Sequence, residues 1–154
     1  MADLAVVANS VAGATGAVYK PAQPPLIAGE ALTAGQVVYQ KTSDNKIYKA
    51  KANTSTAPIS PATWPPETVP VGIAMNGAAI GQPVFLLTGG GVVLGVAVVP
   101  GMIYCLSAAN AGGIAPFADL AAAQTPPQYV TIVGWGAADA VTLNLNLLPT
   151  NVAR

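Results

Sequence analysis

The sequence has no histidine, one cysteine, and only six basic and six acidic residues among its 154. Without histidine, the side chain that most often serves as general base or metal ligand near neutral pH is missing. A single cysteine, Cys105, excludes an intramolecular disulfide framework and a cysteine-rich metal centre, and its place in an apolar run marks it as a small core residue. The carboxylates Asp3, Glu30, Asp44, Glu67, Asp119 and Asp139 are scattered, and no pair has a spacing that suggests an acid–base couple or a metal site. There is no Gly-x-Ser-x-Gly elbow, and Gly89-Gly90-Gly91 lacks the Lys-Ser/Thr of a phosphate loop, so it reads as a turn. These absences argue against an enzyme and against a bound cofactor.

Charge is the scarcest commodity. Charged residues make up 8% of the chain, against about 25% in ordinary soluble domains, while 53% of residues are hydrophobic. That leaves too little charge to cover a monomer's surface, so the composition implies a chain that is buried in an assembly. The formal net charge is zero, which favours neither a nucleic-acid partner nor an anionic membrane. The basic residues are nonetheless grouped: Lys20, Lys41, Lys46, Lys49 and Lys51, then none before Arg154.

An unbroken apolar helix is also missing. Val84 to Leu106 is 23 residues without a charge, but a Gly triplet and Pro100-Gly101 interrupt it, and no Lys or Arg flanks it. The opening MADLAVVANS has no basic leader and no long apolar core, so no secretory signal is expected and synthesis should be intracellular.

What is there reads as strand. Gly72 to Leu106 breaks into short apolar runs at Gly and Pro, the punctuation of buried β-strands. Before it, 36–40 (QVVYQ) and 46–52 (KIYKAKA) flank a polar turn and predict a hairpin. The second strand of that hairpin puts Tyr48, Ala50 and Ala52 on one face and Ile47, Lys49 and Lys51 on the other, which suggests a half-solvated edge strand guarded by lysine. Residues 53–70 form a Pro-rich loop carrying Trp64. One or two helical turns are expected near 117–124, then strands at 129–133 and 141–147, the latter with leucines alternating against asparagines. A Gly turn feeding an apolar strand with an aromatic recurs at Gly35, Gly81 and Gly101, at spacings too unequal for a solenoid.

The expected architecture is therefore all-β: a small barrel or sandwich with at most one or two short helices. Residues 1–27 would form an extended N-terminal arm, and 28–154 a single β domain. The arm's apolar residues Leu4, Val6, Val7, Val11 and Tyr19, together with Trp64, are candidate contacts with a partner or between subunits. The arm could pack on its own barrel or on a neighbour.

The pieces AGEALTAGQVVYQ, KIYKAKA, VGIAMNGAAIGQPV, YCLSAANAGGIAPFADL and YVTIVGWGAADAVTLNLN, with the opening ADLAVVANSV, resemble the head-decoration, or capsid cement, proteins of tailed bacteriophages. The resemblance spans nearly the whole chain, and none of its pieces is a catalytic motif. It implies a structural virion protein, made in the bacterial host cytoplasm, that binds the outer surface of the assembled capsid as a homo-oligomer, often a trimer, and stabilises it. The implied partners are the major capsid protein and further copies of the chain, with no cofactor, nucleic acid or membrane. The loop at 53–70 is longer and richer in proline than the family pattern. The alternative is a structural or glycan-binding β module of a phage tail or fibre, for which Trp64 and Trp135 would be the aromatic platforms. A third reading is a coat-like subunit that assembles without a host shell.

Overall fold

The computed structural model describes residues 3–21, 24–52, 65–120 and 129–153, with side chains as far as residue 150. Within them the chain is mainly β and antiparallel, and its principal sheet curls into a half-barrel. The N-terminal segment contributes β1 (Ala12–Gly13) and β2 (Val18–Tyr19), and β3 (Leu26–Ile27) follows. The predicted hairpin is β4 (Val37–Gln40) and β5 (Ile47–Lys49). The uncharged stretch supplies β6 (Gly72–Ala74), β7 (Pro83–Val84), β8 (Leu86–Val93) and β9 (Ile103–Leu106), and β10 (Ile114–Pro116), β11 (Tyr129–Gly136) and β12 (Thr142–Ala153) complete the set.

The sheet runs β10-β9-β11-β12-β8-β6-β4-β5, with β1 and β2 also paired to β8, while β3 and β7 form a separate ribbon. Helical structure among the described residues is three 3₁₀ turns, at Ala8–Ser10, Pro66–Thr68 and Phe117–Asp119. The last stands where a short helix was expected and ends at its C-cap, Leu120, and residues 121–124 of that expected helix lie outside the described residues. Among the described residues no helix is long and apolar enough to cross a membrane.

The recurring Gly turns have one physical form. Gly35, Gly81 and Gly101 all have positive φ, and each is followed two residues later by the first residue of a strand, β4, β7 or β9. In each turn the residue after the glycine donates its N–H to the carbonyl three residues back: Gln36 to Thr33, Gln82 to Ala79, Met102 to Val99. That is the arrangement of a type II turn, whose third position needs φ above zero and so selects glycine. The two Gly-Gln copies share a further bond, since Gln36 and Gln82 accept the N–H of Thr33 and Ala79 on their side-chain oxygens. Where Met102 replaces glutamine, the Tyr104 hydroxyl accepts the corresponding N–H of Val99. Gly16 before β2 and Gly112 before β10 repeat the same positive-φ turn, closed by Ala17 to Ala14 and Gly113 to Asn110.

Side-chain alternation divides the interior. Val37, Tyr39, Ala50, Ile73, Leu87, Val92, Tyr104, Leu106, Val133, Leu143 and Leu145 fill the main core on the concave side. Residues one step out of phase, Val38, Ile47, Ala74 and Leu86, face the other way and pack with Ala28, Leu32, Ala78 and Val84 beneath the β3–β7 ribbon. Burying a side chain such as Leu87, Tyr104 or Leu143 stabilises the fold by about 1.5–3 kcal/mol.

Two local expectations are corrected. Gly89-Gly90-Gly91 is not a turn but the middle of β8, where the strand passes from β6 (Ile73 opposite Leu87) to β12 (Leu145 opposite Gly90). Gly90 has φ +80°, and a Cβ there would overlap the Gly16 carbonyl of the arm, so the triplet admits a crossing backbone. Along β5 and the residues after it, Ala50 and Ala52 face the main core and Lys49 and Lys51 are partly exposed, as expected, but Ile47 on the lysine face is fully buried in the second cluster, where the segment around Ala28 covers it.

Candidate functional site

The two halves of the sheet are covered unequally. The convex side of β4–β6 lies under the β3–β7 ribbon. Among the described residues, the convex side of β9, β11 and β12 is covered at one end, where Leu120 packs with Cys105, Val130 and Ile132. Trp135 stands directly opposite Ile103 on one neighbour and Asn144 on the other, and Ile132 pairs with Leu148. Trp135, Ile103 and Leu148 are 42%, 43% and 49% exposed, and Val99, in the turn that leads to β9, is 51% exposed.

The backbone explains why large apolar groups point outward here. The register of β11 slips between Ile132 and Gly134 against both of its neighbours, a β-bulge that resets the alternation and turns Trp135 to the convex side. In β12, Leu143, Leu145 and Leu147 pack on the main core while Asn144, Asn146 and Leu148 face away. The Leu147-Leu148 doublet carries this signal in sequence, because neighbouring strand residues cannot both point inward. Sequence reasoning weighed Trp135 as a glycan platform and missed Ile103 and Leu148.

The basic residues are concentrated in the β4–β5 hairpin, last in the strand order, and the curl of the sheet brings that hairpin's continuation back to the first strands, where Gly112 donates to Ala50 and Ala52 donates to Ser107. Strands β9 to β12 and their connections contain no Lys or Arg, and their acidic residues are Asp119 and Asp139. Lys41, Asp44, Lys46, Lys49 and Lys51 belong to the β4–β5 hairpin, and Glu30 stands against it. Glu30 accepts the Lys49 N–H at 2.6 Å and lies 3.9 Å from the Lys49 ammonium, so the edge strand's free donor is capped. Asp44 accepts the Lys46 N–H and the Tyr48 hydroxyl, and these bonds, the backbone one foremost, hold its carboxyl below the ordinary value. The same bond to Asp44 raises the Tyr48 phenol, and the Lys41 ammonium sits 5.3 Å from the Tyr48 ring centre. Tyr39 is raised chiefly by burial.

The arm lies on its own sheet. Its backbone bonds run from Leu4 to Ile114, Val7 to Leu94, Ala14 to Gly91 and Lys20 to Leu86, each donating an N–H to the second residue's carbonyl. Asp3 fastens the start by accepting the Ser107 hydroxyl at 2.6 Å and the Asn110 amide at 2.8 Å. Of the candidate contacts, Leu4, Val6 and Val11 pack against the main core, whereas Val7 and Tyr19 are 47% and 52% exposed. Tyr19 adjoins exposed Val18 on β2, far along β8 from Val7, so the candidates do not converge on one spot. Trp64 lies outside the described residues.

Among the described residues no three His, Cys, Asp or Glu side chains group as a metal site would require. Comparison with protein-family models, with curated proteins and with solved structures finds no match to this chain.

Proposed function

We propose that the protein is a structural virion component that binds the outside of an assembled phage capsid as a homo-oligomer, with a trimer favoured, and reinforces the shell. The observation that carries this reading is the exposed apolar surface of β9, β11 and β12, where Ile103, Trp135 and Leu148 are each more than two-fifths exposed in strands that contain no basic residue. Exposed apolar patches of this kind mark contact surfaces, and the resemblance to capsid cement proteins names the assembly. Purified capsids lacking the protein should bind it to saturation at a fixed ratio to the major capsid protein when the two are co-sedimented. Absence of the protein from the capsid fraction at micromolar concentration would refute the reading.

A glycan-binding β module is favoured by one feature, the half-exposed Trp135 between two glycines and opposite Asn144, an indole with an amide beside it. Quenching of tryptophan fluorescence by host surface polysaccharide, without capsid binding, would select that reading.

A further inference from the structure

Asn76-Gly77 is the one Asn-Gly step in the sequence, and the fold gives no reason for its glycine. Gly77 is exposed, its φ is not positive, and a Cβ added there would meet nothing nearer than the Leu32 carbonyl oxygen at 3.7 Å, an ordinary contact. Among the described residues its N–H has no acceptor. What this glycine changes is chemistry. With no side chain at residue 77 to obstruct it, the Gly77 nitrogen can reach the Asn76 Cγ, an intramolecular attack whose rate depends on that approach. The N–Cγ bond of a succinimide ring forms, the Cγ–Nδ2 bond breaks, and the Gly77 amide proton leaves with the side-chain nitrogen as ammonia. Water then opens the ring at either carbonyl, leaving aspartate or isoaspartate.

The closed loop opposes this reaction. Asn76 follows β6 and its side chain fastens the base of the loop that leads to β8: Oδ1 accepts the Phe85 N–H at 2.8 Å, and Nδ2 donates to the carbonyls of Gly77 and Pro83, each at 3.1 Å. The departing group is Nδ2 itself, so both of its bonds must be given up before ammonia can leave. The loop is tied down further along, where Leu32 and Ala78 exchange a reciprocal pair of bonds and Gly81 donates to Ala28, which donates back to Gln82. Ala78 and Val84 are buried in the second cluster. We propose that Asn76-Gly77 is a self-modification site gated by this loop: it converts when the loop opens, and conversion removes the clamp that would close it again. Aspartate still accepts from Phe85, but it has no N–H for the Gly77 and Pro83 carbonyls and sets a negative charge against both. Isoaspartate in addition inserts a methylene into the main chain between residues 76 and 77.

Conversion is measured on free protein, so capsid attachment does not enter. The parent chain is incubated in mildly alkaline buffer, folded and in urea, and the peptide that holds residue 76 is followed by mass spectrometry and by enzymatic methylation of isoaspartate. Conversion should be at least about tenfold slower in the folded protein than in urea, because it waits on local opening. In urea it should run ahead of conversion at Asn9, Asn45 and Asn110, none of which precedes a glycine. Gly77→Ala should slow it in urea at least about tenfold and leave the melting temperature at or above the parent's, since a Cβ has room there. Asn76→Asp, which is the direct product, should lower the melting temperature by at least about 3 °C. Equal rates in the folded and unfolded chains would remove the gate and overturn the proposal. So would an Asn76 that stays an amide in urea, a Gly77→Ala chain that converts as fast as the parent, or an Asn76→Asp variant that melts with it.

Discussion

At the scale of single residues, glycine is placed by two different demands. Gly81 has open space where a Cβ would go, so Gly81→Ala meets only the positive φ and should cost about 1 kcal/mol in a urea titration. Gly90 has both a positive φ and the arm's backbone against it, so Gly90→Ala should cost clearly more and should increase proteolysis within residues 3–20. Equal losses at the two sites would mean that the arm does not lie across β8. Asp139 closes the β11–β12 turn by accepting the Thr142 hydroxyl and the N–H groups of Thr142 and Val141, which hold its carboxyl below the ordinary value, the hydroxyl bond contributing most. A depressed carboxylate stabilises the fold above its unfolded pKa, near 4, and the contribution is lost as pH falls through the lowered folded value. Asp139→Ala should therefore lower the melting temperature at pH 7, and the gap from the parent protein should close toward pH 2. A gap that persists there would assign the effect to packing.

Among the elements, the arm has most to decide. Its backbone bonds to β8 and β10 and the packing of Leu4, Val6 and Val11 on the core imply that removing residues 1–20 costs about 3 kcal/mol or more, a fall of roughly 6–12 °C in melting temperature for a chain of this size. Unchanged melting with lost capsid attachment would instead give the arm to a neighbour. The strands themselves were legible because Gly and Pro bound almost every apolar run, and because the alternation in VTLNLNL places Leu143 and Leu145 inward. The glycine triplet misled because its cause is distant in sequence: the backbone at Gly16 crosses Gly90. The second face of β5 was hidden for a similar reason, since Ile47 is covered by Ala28 through a contact no local pattern announces. The convex face was partly legible; Trp135 stood out by composition, but a bulge sets its direction and brings it beside Ile103.

At the scale of the whole molecule, the proposed docking surface is the uncharged, partly exposed face that carries Ile103, Trp135 and Leu148. Replacing Ile103 and Trp135 together by serine should leave the fold's melting temperature within a few degrees, since both are more than two-fifths exposed, yet reduce occupancy on capsids at least about tenfold. Occupancy that follows the parent protein would move the docking surface elsewhere. The central claim is tested most directly by saturating purified capsids with the protein in low and in high sodium chloride, with Lys46, Lys49 and Lys51 changed to Gln in a parallel sample. Contacts made by uncharged side chains and backbone are scarcely screened, whereas exposed ion pairs weaken once the Debye length falls below about 8 Å. The expected result is stoichiometric binding that is the same at both salt concentrations and in the triple variant. Failure to bind, or a fall of more than about tenfold with salt that the Gln substitutions abolish, would contradict it; the second outcome would show that the lysine hairpin grips an acidic surface.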